Sequence, residues 1–144
     1  MNDKRVKIIC LLAFLVYILI VLRLTVFRFN VFNERQLNLT IFADLIDVYR
    51  NVGIARFLWL FFGNIGWFVP FGFLLPILLK RESFLKVIVM GAMFSLAIES
   101  VQFVFRIGVA ELDDLILNTL GTAIGYLIFI LMRKRFLSER SAKD

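Results

Sequence analysis

Histidine is absent from this chain of 144 residues, and cysteine occurs once, at Cys10. Without histidine the common zinc sites and the Ser-His and Cys-His catalytic pairs cannot be assembled, and a single cysteine cannot close an intramolecular disulfide. Proline (2) and glycine (8) are scarce, which excludes collagen-like and low-complexity organisation. Charge is also low, at 19%, against 61% apolar residues and 15% aromatics that include 17 phenylalanines. Soluble domains do not have that balance, and the apolar side chains belong in lipid. A spanning helix needs about 20 apolar residues, so the length accommodates roughly four or five spans and no folded extramembrane enzyme domain.

The hydrophobic runs predict four helices, over residues 6–24, 57–79, 87–105 and 115–132, in one membrane domain covering 1–144. The first follows Lys4, Arg5 and Lys7, has no small-residue cleavage site after it and reads as a retained signal anchor. The second is free of formal charge but contains Pro70 and Pro76, which predict kinks rather than a break. The fold class expected is therefore all-α, a polytopic membrane protein with four transmembrane helices in a compact bundle.

Four spans place both termini on one side of the membrane, and basic residues identify the side. Lys4, Arg5, Lys7, Lys80, Arg81, Lys86, Arg133, Lys134, Arg135, Arg140 and Lys143 lie on the terminal side, a total of 11. Six lie opposite: Arg23, Arg28, Arg35, Arg50, Arg56 and Arg106. Excess Lys and Arg mark cytoplasmic segments, so a multi-pass cell-membrane protein with N- and C-termini in the cytoplasm is expected, with 133–144 as a cytoplasmic tail. The basicity then reflects topology and contact with the lipid bilayer, not nucleic-acid binding.

The extracytoplasmic segment 25–56 is too apolar for a free linker. Leu37, Leu39, Ile41, Phe42, Leu45, Ile46, Val48 and Tyr49 alternate with polar residues in a partly helical rhythm. It fits a short interfacial helix or a loop packed over the bundle mouth.

Polar residues within the spans are the informative ones. Glu99, Gln102 and Arg106 are spaced i, i+3, i+7, on one face of the third helix. Asp114, Asn118, Gly121 and Gly125 form a stripe on the fourth, and Asn64 enters the second from the same side. Arg23 and Arg28 can add cations at the rim. Ionisable groups in a bilayer cost about 2.5 to 3.5 kcal/mol on insertion scales unless paired or functional, so Glu99 needs a partner. Arg106 is the first candidate and Arg23 the second; a protonated Glu99 bonded to Asn64 or Asn118 is the alternative. The set reads either as a structural clasp or as a polar ligand pocket open to the outer leaflet. The triplet Glu111, Asp113 and Asp114 fits capping of the fourth helix, or oxygen ligation of a divalent cation, although no metal or other cofactor is expected. The aromatics Trp59, Phe61, Phe62, Trp67 and Phe68 fit an interfacial belt with core packing, or a sugar-stacking platform.

Several motifs occur in a specific order. They are Arg23 with Thr25; Asn64-Ile65 and Phe68-Val69-Pro70-Phe71-Gly72-Phe73; Ser95-x-x-Ile98-Glu99-x-x-Gln102; and Glu111 to Gly121 followed by Gly125-Tyr126. Together they resemble the VanZ-like membrane proteins, from about Arg23 to Tyr126. The chain departs from that pattern at Ile41, where proline is expected, and at Glu111, where aspartate is commoner. The resemblance implies a role in teicoplanin-type glycopeptide resistance at the cell envelope, without implying a particular chemistry. It carries the family's polar positions onto Asn64, Glu99, Gln102, Asp114 and Asn118.

Two function classes follow. The first is a non-enzymatic protein that binds an envelope lipid, a cell-wall precursor lipid or an amphipathic drug through Asn64, Glu99, Gln102, Arg106, Asp114, Asn118 and Arg23. The second is an intramembrane enzyme acting on a lipid head group or lipid-linked precursor, with Glu99 as general acid or base and Asp114 with Glu111 holding a metal. The residue types permit the enzyme, but no recognised catalytic spacing supports it. A transporter would need more helices or an assembly of chains, and no inverted repeat is visible.

Overall fold

The computed structural model describes residues 3–26, 31–79 and 83–141. Arg28, Lys80, Arg81 and Lys143, counted above for topology, lie outside the described residues. The chain is an all-α polytopic membrane protein. Its elements are α1 (Asp3–Thr25), β1 (Gln36–Asn38), α2 (Ala43–Asn51), α3 (Ile54–Leu78), α4 (Phe84–Phe105), β2 (Val109–Glu111) and α5 (Leu112–Ser141). Four of the helices, α1, α3, α4 and α5, are long and apolar enough to cross a membrane. Their ends lie within a few residues of the expected spans, except that α5 continues to Ser141 through the expected tail. Arg133, Lys134 and Arg135 are good helix formers, so the hydrophobic boundary is not a helix boundary.

Helix α5 packs most extensively on α3, and the approach is close because glycines line it. A Cβ at Gly121 would lie 2.9 Å from the carbonyl carbon of Ile65, and one at Gly125 would lie 2.9 Å from the amide nitrogen of Phe73. Both distances are below any real Cβ contact, so only glycine lets the two backbones meet. Phe68, Phe71, Leu75, Val87, Ile98 and Tyr126 fill the core beside this contact, with Val21 from α1. Helix α1 is peripheral: Val21 is buried, whereas Ile8, Ile9, Leu12 and Leu19 face outward, as lipid-facing residues do. Near the middle of α3, the Tyr17 hydroxyl donates to the Trp67 carbonyl oxygen at 2.7 Å and ties the two helices. Helix α3 runs unbroken through Pro70 and Pro76.

Residues 31–53, between α1 and α3, fold over the end of the bundle where α4 stops and α5 starts. This segment contains a short helix, α2, and packs down onto the bundle. Leu45 of α2 is buried against Ile65 and Leu117. Strand β1 pairs in parallel with β2, Gln36 opposite Val109 and Asn38 opposite Glu111. No alternating pattern of useful length announces these three-residue strands. Two further ties involve Arg106, whose carbonyl oxygen accepts from the Phe32 amide at 2.7 Å and whose Nη1 donates to the Asn33 carbonyl at 2.9 Å.

Candidate functional site

The polar residues of three helices meet just beneath this folded segment. Asn64 of α3, Glu99 and Gln102 of α4, and Asp114 and Asn118 of α5 all line one small cavity of about 130 Å³, with Thr25 and Leu24 of α1 at its edge. Helical periodicity explains why each points there: Glu99 and Gln102 are one turn apart, as are Asp114 and Asn118. Arg23 lies in the last turn of α1, beside the lining residue Leu24.

Arg106 does not line this cavity, contrary to the extrapolated spacing. Helix α4 ends at Phe105, and Arg106 is its C-terminal cap in the left-handed conformation, φ 57°. The i, i+7 relation to Glu99 therefore fails at its last step. The guanidinium turns to the Asn33 carbonyl, not to Glu99.

Hydrogen bonds tie these polar residues together. Glu99, 6% exposed, accepts from the backbone N–H of Glu111 through Oε2 at 3.0 Å and so fixes the β2 to α5 junction to α4. Asn118 donates from Nδ2 to Ser95 Oγ at 2.9 Å. Asn64 Nδ2 donates to Asp114 Oδ1. Gln102 Nε2 donates to the Thr25 carbonyl at 3.2 Å, bringing in α1. Among the described residues, no buried side-chain nitrogen or oxygen lacks a hydrogen-bond partner. Ser95 and the fully buried Thr122, whose hydroxyl donates to the Asn118 carbonyl at 3.0 Å, belong to the same network. Both lie at helical spacing from expected members, Ser95 four before Glu99 and Thr122 four after Asn118, which was the signal for them.

Size distinguishes this cavity from the space above it. About 130 Å³ holds roughly four waters at their liquid volume, not a ligand head group. A second pocket of about 470 Å³ opens above and shares Asn64, Gln102 and Asp114 with the cavity. Ligand pockets begin at about 300 Å³, so this one has the volume required. Its roof comes from the folded segment, through Phe32, Asp44, Leu45 and Val48, and its walls include Arg56, Glu111 and Asp113. Arg56 carried no signal in a single helix pattern, because only the roof makes its position part of a pocket.

The acidic triplet is divided in its tasks. Asp113 and Asp114 lie in the first turn of α5, where carboxylates suit the helix dipole. Asp113, however, spends both oxygens on the Phe42 amide of the folded segment, and Asp114 receives Asn64. Among the described residues no group of three acidic or thiol side chains is gathered closely enough to hold a metal ion.

The third space is apolar. A groove of about 850 Å³ runs along α3, lined by Ala55, Leu58, Trp59, Leu60, Phe62, Gly63, Asn64, Gly66 and Trp67. Phe61 and Phe68 turn inward instead, Phe68 into the core. Asn64 borders all three spaces: the groove, the polar pocket and the inner cavity.

Comparison with known proteins is consistent with this architecture. The family model described as VanZ/LLP1 matches residues 14–133. Protein VanZ of Enterococcus faecium is 31% identical over 135 residues, covering 90% of this chain and 78% of the relative. No solved structure matches the chain.

Proposed function

This chain belongs to the VanZ/LLP1 family, and from that premise we propose that it binds an amphipathic envelope molecule, a lipid-linked wall precursor or a glycopeptide-type drug, at the outer leaflet of the cell membrane. Binding there would alter the molecule's access to the cell surface and contribute to teicoplanin-type resistance. The observation that carries the reading is the position of Asn64, where a polar pocket of head-group size adjoins an apolar groove. An amphiphile requires that pairing.

Charge suggests what the head supplies. The polar pocket is lined by the carboxylates of Asp44, Glu111, Asp113 and Asp114 against the one guanidinium of Arg56. Carboxylates only accept hydrogen bonds, so a suitable head brings N–H donors, either amides or an ammonium. Peptide-bearing wall precursors and glycopeptides both carry such donors. In this reading Asn64, Gln102 and Asp114 meet the head, while Glu99 and Asn118 brace α4 against the start of α5, through the Glu111 amide and Ser95. The folded segment lies outside the cell and both termini lie in the cytoplasm, in accord with the basic asymmetry.

Binding of purified, reconstituted protein to lipid-linked wall precursor tests the proposal, with Asp114→Asn as the comparison. Asp114→Asn keeps an acceptor for Asn64 and removes the charge. Saturable binding weakened by about tenfold, or roughly 1.4 kcal/mol, is expected on losing one charge-assisted hydrogen bond. Absence of saturable binding by wild type to both precursor and drug would overturn it.

A further inference from the structure

We infer that the groove along α3 seats one hydrocarbon chain of a bilayer amphiphile, and, resting on the proposed function, that this is the chain of the molecule whose head enters the polar pocket. The groove is not a gap between protein elements. It follows one face of a membrane-spanning helix, through Ala55, Trp59, Gly63 and Trp67, at steps of four residues. At about 1.5 Å per residue that run is roughly 18 Å long. One leaflet of a hydrocarbon core about 30 Å thick is roughly 15 Å deep, so the groove reaches from the polar end to near the bilayer middle.

The floor is the second observation. A Cβ at Gly63 or Gly66 meets nothing within 4 Å, whereas Cβ atoms at Gly121 and Gly125 would strike the backbone of α3. Packing within the chain therefore does not require glycine at 63 or 66, although glycine weakens a helix relative to alanine. The walls are large and outward: Trp59 is 72% exposed and Phe62 60%. At this depth the medium is hydrocarbon, and a space left empty would forfeit the dispersion contacts of its lining. A lipid chain supplies them. Leu60 and Asn64 belong to both groove and polar pocket, so a chain in one and a head in the other can be parts of one molecule.

Trp59 and Trp67 are the two tryptophans of the chain, and both line the groove, so intrinsic fluorescence reports its occupancy. The full-length protein is placed in phosphatidylcholine vesicles containing a minor fraction of lipid with brominated acyl chains, which quench tryptophan on contact. The brominated lipid is phosphatidylethanolamine, with N–H donors on its head, or phosphatidylcholine, without them. Quenching above that expected for random lipid contact is the result predicted for wild type, greater with phosphatidylethanolamine. Gly63→Leu and Gly66→Leu should lose the excess while thermal unfolding in detergent stays unchanged. Equal excess with the two lipids would uphold the chain seat and refute the donor-head reading. No excess with either, or an excess that both variants retain, would overturn the chain seat. Quenching below random contact, with disulfide cross-linking between two copies carrying Trp59→Cys, would overturn it in favour of a second copy of this chain.

Discussion

The backbone N–H of Phe42 donates to both carboxylate oxygens of Asp113, at 2.8 and 3.0 Å, across 71 residues of sequence. Phe42 is one of two non-glycine residues among those described with positive φ, at 55°. A left-handed phenylalanine persists only where its surroundings hold it, and Asp113 does so from the first turn of α5. The bond fixes the start of α2, and α2 supplies Asp44, Leu45 and Val48 to the polar pocket. One acidic side chain from the first turn of α5 thus helps to hold the roof of the pocket.

Replacing Asp113 by alanine removes both acceptors from that amide. A loss of about 1 to 3 kcal/mol is expected for a part-buried donor left without its partner. Asp113→Asn, which keeps one acceptor, should lose less. Hydrogen exchange at Phe42 and thermal unfolding in detergent measure the two; equal stability of Asp113→Ala and wild type would refute the staple.

Glu99 separates charge from hydrogen bonding. Glu99→Gln retains an oxygen that can accept from the Glu111 amide, so the protein should stay folded. Glu99→Leu leaves that amide without its acceptor and should cost about 1 to 2 kcal/mol, the range for polar contacts between membrane helices. Full drug resistance in Glu99→Gln would assign the residue a holding role alone; lost resistance in a folded Glu99→Gln would bring its charge or its proton into the ligand site.

Gly121→Leu tests the α3 and α5 contact. The new side chain would start inside contact distance of the Ile65 carbonyl carbon and of Phe68 Cβ, at 2.9 and 3.1 Å. Overpacking of this kind costs about 1 to 3 kcal/mol, seen as a lower unfolding temperature. Wild-type stability in the variant would show that the helices can separate without loss.

Orientation can be read by labelling. In a Cys10→Ser background, a cysteine at Asn33 should react with an impermeant reagent on intact cells, and one at Ser83 should not. The opposite pattern would invert the topology and remove the outer-leaflet site with it.

Much of the molecule was legible in the chain because it is encoded locally. Uninterrupted apolar runs declare spans, since lipid leaves a backbone no other way to satisfy its hydrogen bonds. The facing of Asn64, Glu99, Gln102, Asp114 and Asn118 follows from helical period together with the cost of placing polar groups in hydrocarbon. Gly121 and Gly125 continue the stripe begun by Asp114 and Asn118, and the structure sets them against the backbone of α3.

The tertiary structure alone decided everything that joins distant segments. The pairing of β1 with β2, the tie from Asp113 to Phe42 and that from Arg106 to Asn33 each span about 70 residues or more, and nothing in a local pattern selects such a partner. Arg106 shows the limit best: its spacing from Glu99 places it on the polar face only if α4 continues, and a single left-handed residue sends it elsewhere. The division into inner cavity, polar pocket and apolar groove was equally beyond the sequence. Periodicity gives the direction of a side chain, whereas the volume in front of it depends on which other element is packed there.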